Sequence, residues 1–149
     1  MEFKNKDEFS VIGLEVETSI QETQSKHNKL PQLWQDFMQR IEQLKNKTPG
    51  IHYGLCVSTG NFFKYTACSE VDNKEAIPVD MVKHIVPKAM YATVIHKGKL
   101  DNLSQTYSKM EQEIKNKGLK LNGLFLEVYN KKYKPDSDDS EFEIWAALK

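Results

Sequence analysis

Cysteine is scarce in this 149-residue sequence: Cys56 and Cys68 are the only two, too few for a disulfide framework and set in no C-x-x-C or zinc spacing. Both are expected to be buried, unreactive thiols. An excess of one charge is missing as well. Lysine plus arginine and aspartate plus glutamate number 21 each, and a neutral chain offers no electrostatic footprint for nucleic acid or an anionic membrane. No run of 18 apolar residues occurs, and the opening MEFKNKDEF contains no apolar signal segment. The expectation is a cytoplasmic protein without a nucleic-acid or membrane partner of its own. G-x-G-x-x-G, P-loop and G-x-S-x-G motifs are absent, so no cofactor is expected. His27, His52, His84 and His96 never fall at the spacing of a zinc pair. The acidic DSDDSEFE at 136–143 lacks the glycine and the closing glutamate of a calcium loop. No metal is expected.

What is present is a repeated order of elements. FSVIGLEVET (9–18) alternates as a strand, and Leu30, Leu33, Trp34, Phe37, Met38, Ile41 and Leu44 form one apolar stripe of a helix, with Pro31 in its first turn. IHYGLCV and FFKYTACSEV then flank STGN, a hairpin turn. The second half runs AMYATVIH, a helix marked by Leu100, Leu103, Tyr107, Met110 and Ile114 and closed by Gly118, then LFLEVYN and EFEIWAAL. The expected fold is α+β: a single domain over 1–149, with β-α-β-β halves at about 9–71 and 89–148, two helices on one face of an antiparallel sheet, and a central ligand pocket.

LNGLFLEVYNKK (121–132) carries the functional signal. Alternation places Phe125, Glu127 and Tyr129 on one face of this strand, and an ionised carboxylate away from water costs several kcal/mol unless it is paired. Glu127 therefore needs a protein partner such as Lys64, its neutral form, or a ligand. With the even positions Leu124, Leu126, Val128, Phe142, Ile144 and Leu148 assigned to the helix side, Phe125, Glu127, Tyr129 and Trp145 would line an uncovered concavity. Tyr53 and Tyr91 lie in strands whose inward face the sequence does not fix. Trp34 sits on a helical stripe, as core or as pocket lining.

The ordered series FSVIGLEVETS, LPQLWQDF, HYGLCVS…FKYTACSEV, VPKAMYATVIHKGKLDNLSQTYSKM, LFLEVYN and EFEIWAAL resembles the gyrase-inhibitor-like (GyrI-like) small-molecule-binding domain, which also serves AraC- and MerR-type activators as an effector-binding module. The most specific pieces are His96 and Gly98 before a helix containing Thr106 and Tyr107, the E-x-Y of Glu127 and Tyr129, and the EIW strand. The resemblance implies a duplicated, SHS2-like fold and an aromatic pocket with a buried glutamate that binds hydrophobic, often cationic, compounds. Glu127 takes the glutamate's place, Tyr129 and Trp145 that of pocket aromatics, and Glu70 that of a second acidic position. No helix-turn-helix accompanies the domain, so a stand-alone, multidrug-type binding protein is the leading expectation. The alternative is a hydrolase of strained cyclopropane-containing electrophiles, with Glu127 as base or nucleophile and Tyr91 as proton donor. A further alternative is an inhibitor that binds gyrase or another protein partner encoded separately.

Overall fold

Strand-forming β-branched and aromatic residues dominate the segments that pair in the computed structural model, which describes residues 1–134 and 137–149. The acidic turn that opens at 136 lies partly outside them. In chain order the strands are β1 (Glu2–Lys6), β2 (Phe9–Thr18), β3 (His52–Ser58), β4 (Phe63–Val71), β5 (Val82–Val86), β6 (Ala89–Lys97), β7 (Leu121–Tyr129) and β8 (Glu141–Leu148). The helices are the short α1 (Ile20–Thr23), α2 (Leu30–Gln39) and α3 (Leu103–Asn116). Pro31 stands in the first turn of α2, and Gly118, at φ 72°, follows α3 in the left-handed conformation that ends a helix. All eight strands form one antiparallel sheet in the order β1-β6-β8-β7-β3-β4-β2-β5. The fold is thus α+β, as expected, with two edge strands, β1 and β5, added to the elements read from the sequence.

Two short links force this sheet to curl. β1 stands first and β2 seventh in the order, yet Lys6 and Phe9 are joined through Asp7 and Glu8 alone. The link from β5 to β6, through Pro87 and Lys88, repeats the situation across the same number of strands. A flat sheet would hold the linked strands about 29 Å apart at roughly 4.8 Å per strand, whereas three Cα steps reach about 11 Å. The concave face therefore closes on itself: Phe9, Val11 and Val86 from one end share a cluster with Tyr91 and Ala147 from the other, around Tyr53, Leu55, Cys68, Leu126 and Val128.

Directly paired residues share a face, so the pairing assigns the helices. Tyr65 opposes Cys56, Cys56 opposes Phe125, Phe125 opposes Ala146 and Ala146 opposes Ala92. Tyr65 packs with Leu33 and Phe37 of α2, while Ala92 and Ala146 pack with Met110 and Ile114 of α3. Both helices consequently cover the convex face. This corrects the assignment of β7: Leu124, Leu126 and Val128 point into the helix-free concave core, and Phe125, Glu127 and Tyr129 face the helices. Phe142, Ile144 and Leu148 of β8 do face α3. Glu127 opposes Ile144 and Leu126 opposes Trp145, so Glu127 and Trp145 lie on opposite faces and the expected shared concavity does not form.

The register of the two halves matches. Phe9 opposes Val86 where Ala89 opposes Lys6, Val11 opposes Glu70 where Tyr91 opposes Ala147, and Cys68 opposes Tyr53 where Trp145 opposes Leu126. Carried to the middle of the sheet, this correspondence makes Gly54 and Glu127 counterparts, and the two are paired with each other. Glu127 therefore sits at the centre of the sheet, on the axis relating its halves. Among the described residues no helix is long and apolar enough to cross a membrane.

A face without helices that is nonetheless a core makes a clear prediction. Leu126 is fully buried there, so Leu126→Ala should cost about 2–5 kcal/mol in urea unfolding. A loss below about 0.5 kcal/mol, the range of surface substitutions, would mean that the concave face is open to solvent.

Candidate functional site

Glu127 is 6% exposed, and its carboxylate is met by hydroxyls from three elements. Tyr65 of β4 donates to Oε1 at 2.8 Å, Tyr129 of β7 donates to the same oxygen at 2.9 Å, and Tyr107 of α3 donates to Oε2 at 2.7 Å. Trp34 of α2 completes the cage: its indole Nε1–H donates to the Tyr65 hydroxyl at 3.0 Å, and its ring meets Tyr129 edge-on at 5.3 Å. No lysine, arginine or histidine forms an ion pair with Glu127 among the described residues. Lys64, weighed above as a structural partner, is exposed, and Tyr65 follows it on the other face of β4. The hydrogen-bond partners of the carboxylate are thus neutral phenols.

Each contact has a local cause. Gly54 lies opposite Glu127, and a Cβ there would stand 2.1 Å from the Tyr65 hydroxyl oxygen and 3.0 Å from Glu127 Oε1. The missing side chain is the space through which Tyr65 reaches the carboxylate. Tyr129 follows Glu127 by two residues and so shares its face; its ring stacks on Phe142 with centroids 4.7 Å apart. Phe125 supports Tyr107 edge-on at 5.6 Å.

The motif around His96 positions Tyr107. His96 is buried, with Nδ1 2.7 Å from Thr106 Oγ1 and Nε2 2.9 Å from the Lys99 carbonyl oxygen. A carbonyl only accepts, so Nε2 donates to Lys99, while Nδ1 lies within hydrogen-bond distance of the Thr106 hydroxyl. This clamp fixes the start of α3 to the end of β6, and the residue after Thr106 is Tyr107. Gly98, at φ 91°, makes the intervening turn.

Burial and the neighbouring Glu127 charge push the hydroxyls of Tyr65, Tyr107 and Tyr129 well above the ordinary tyrosine range. They remain donors throughout the physiological range. Burial, then Glu127, raises the Cys56 thiol likewise, and burial raises Cys68. Both cysteines are free thiols.

Of the residues singled out in the sequence, Glu127, Phe125, Tyr129 and Trp34 come together on the convex face. Tyr53, Tyr91 and Trp145 are on the concave face. Tyr91, considered above as a proton donor to chemistry at Glu127, packs 5.5 Å from Trp145 on that opposite side. Glu70 is there as well, paired with Lys6 at 3.2 Å and with the Tyr53 hydroxyl at 3.4 Å. Sequence reasoning missed Tyr65 as a site residue and read Tyr107 as a helix-stripe and motif residue without a place in the pocket. The available signal was a phenol on an otherwise apolar buried face, which needs a hydrogen-bond partner.

A family model described as an integron-associated effector binding protein (Cass2) matches residues 2–148. The chain belongs to this effector-binding family. It is 28% identical over 145 residues to the transcriptional regulator BrlR of Pseudomonas aeruginosa PAO1, a match covering 94% of this chain and 52% of BrlR. The chain therefore spans about half the length of that relative. The same architecture occurs in the EcmrR C-terminal domain, with TM-score 0.76 and 19% identity over 99% of this chain and 96% of that one. It occurs also in SAV2435, solved bound to tetraphenylphosphonium, with TM-score 0.75 and 16% identity over 99% of this chain and 93% of that one.

If Gly54 is the aperture for Tyr65, then Gly54→Ala must push that ring away and break its bond to Glu127. The expected loss is about 2–4 kcal/mol, overpacking plus a lost charge-assisted bond, measured by urea unfolding. An alanine variant as stable as the parent would refute this account of the cage.

Proposed function

We propose that this protein binds hydrophobic organic cations in the cage formed by Trp34, Tyr65, Tyr107 and Tyr129 over Glu127, and thereby senses or sequesters them. The observation that carries the reading is a buried carboxylate without a basic partner among the described residues, ringed by aromatic side chains. A cation entering there would meet the negative charge and the ring faces together, the latter contributing about 0.5–2 kcal/mol. Tetraphenylphosphonium, seen in SAV2435, combines delocalised positive charge with four apolar rings and is the natural probe. With Glu127 only 6% exposed, its entry must part Trp34 from Tyr65 and Tyr129. We read the matched halves of the sheet as an internal duplication that leaves one acid at its axis.

Calorimetric titration should give micromolar affinity for tetraphenylphosphonium, roughly −8 kcal/mol. Glu127→Gln should weaken it by about 1.5–3 kcal/mol, the scale of a charge-assisted contact, and should leave a neutral triphenyl compound such as triphenylphosphine oxide nearly unaffected. Equal loss for both ligands, or none for either, would sink the electrostatic reading. Mass spectrometry of cyclopropane-fused electrophiles incubated with the protein separates binding from hydrolysis. Ring opening that disappears in Glu127→Gln would establish the hydrolase instead.

A further inference from the structure

The concave side of the sheet contains an open pocket of about 200 Å³, on the face opposite the cage. It exists because the two halves differ at one matched position. Phe9 fills its end of the curled sheet and packs on Tyr53 at a centroid distance of 5.7 Å, whereas its counterpart is Ala89. The wall opposite is opened by an irregularity in the pairing of β7 with β8 between Leu121 and Phe125, where Gly123 takes φ 94°. The resulting hollow is larger than the engineered cavity of roughly 150 Å³ known to accept benzene.

Its polar lining is one-sided. Lys88, Ser58 and Asn122 contribute an ammonium, a hydroxyl and an amide, and among the described residues no aspartate or glutamate lines it. The Asn122 side-chain oxygen is already taken by the Leu124 N–H at 3.0 Å, which leaves the amide's N–H groups as donors. Among the described residues Lys88 is held only by an exposed contact of 3.9 Å with Asp7.

From this geometry we infer that the pocket beside Ala89 is a binding site for a small carboxylate with an apolar body, its carboxylate taken by Lys88 and Asn122. The inference is independent of cation binding at Glu127, since the two sites lie on opposite faces. The molecule then has an acid for cations on its convex side and donors for anions on its concave side.

Titration of ¹⁵N-labelled protein with benzoate tests this. Saturable shifts are expected at the amides of Ser58, Ala89, Gly123 and Leu124, with the Trp34 indole signal unmoved. Lys88→Met, a change at an exposed position, should weaken benzoate three- to tenfold, and Ala89→Phe, which copies the filled half, should abolish binding. Absence of saturable shifts would overturn the inference. So would equal affinity for benzyl alcohol, which would make the cavity an apolar hole only, or shifts centred on Trp34 and Tyr107.

Discussion

One carboxylate at the middle of an eight-stranded sheet sets the terms for the convex half of the molecule. The sheet offers Glu127 no donor from the opposing position, because Gly54 has no side chain. The donors come instead from a strand further out, from the same strand, and from a helix: Tyr65, Tyr129 and Tyr107. Trp34 then binds the Tyr65 hydroxyl, so α2 and α3 are both tied to the same charge. A buried ion costs several kcal/mol, while bonds to a charged acceptor contribute about 1.5–3 kcal/mol each. Three of them offset that cost only if all three phenols are in place.

Curvature is what keeps this arrangement apart from the rest of the core. The two-residue links from β1 to β2 and from β5 to β6 roll the sheet until its concave face is buried by its own ends. That face needs no helix, so both longer helices are free to pack on the convex side around Glu127. The difference between the halves follows the same logic. Near the axis the shared acid requires donors from both sides, whereas at the rolled ends Phe9 and Ala89 fill matched positions to very different extents.

Periodicity made the major elements legible: FSVIGLEVET, the stripe from Leu30 to Phe37, the hairpin around STGN and the final strand all stand where alternation and three-and-four spacing put them. The helix read through to Leu44 instead ends at Gln39 and tightens into a single turn over Ile41–Gln43. β1, EFKNK, and β5, VKHIV, escaped because edge strands carry charges and borrow their structure from a partner. The face of β7 was misread for a different reason. Hydrophobicity identifies the core side of a strand only when the other side is wet, and here both sides are cores. Leu124, Leu126 and Val128 looked like the helix-packed face simply because they lack a polar atom. Glu127 belongs with the helices because α3 carries Tyr107 and β4, one strand beyond β3, carries Tyr65, partners that no single strand's pattern reveals.

On the proposed cation-binding reading, the cage also limits how strongly charge can govern binding. Because three phenols already satisfy the carboxylate, an arriving cation does not rescue a bare buried ion; it adds attraction to an acceptor that is hydrogen-bonded before it comes. Its gain is therefore the difference between two occupied states, reduced by the cost of parting Trp34 from Tyr65 and Tyr129. On that reading, such a site would discriminate by the sign of the charge more than by its exact position, since ring faces accept an apolar body in several orientations. Selectivity for charge class with tolerance of shape would then follow from satisfying the acid with tyrosines; a lysine or arginine partner would have neutralised it.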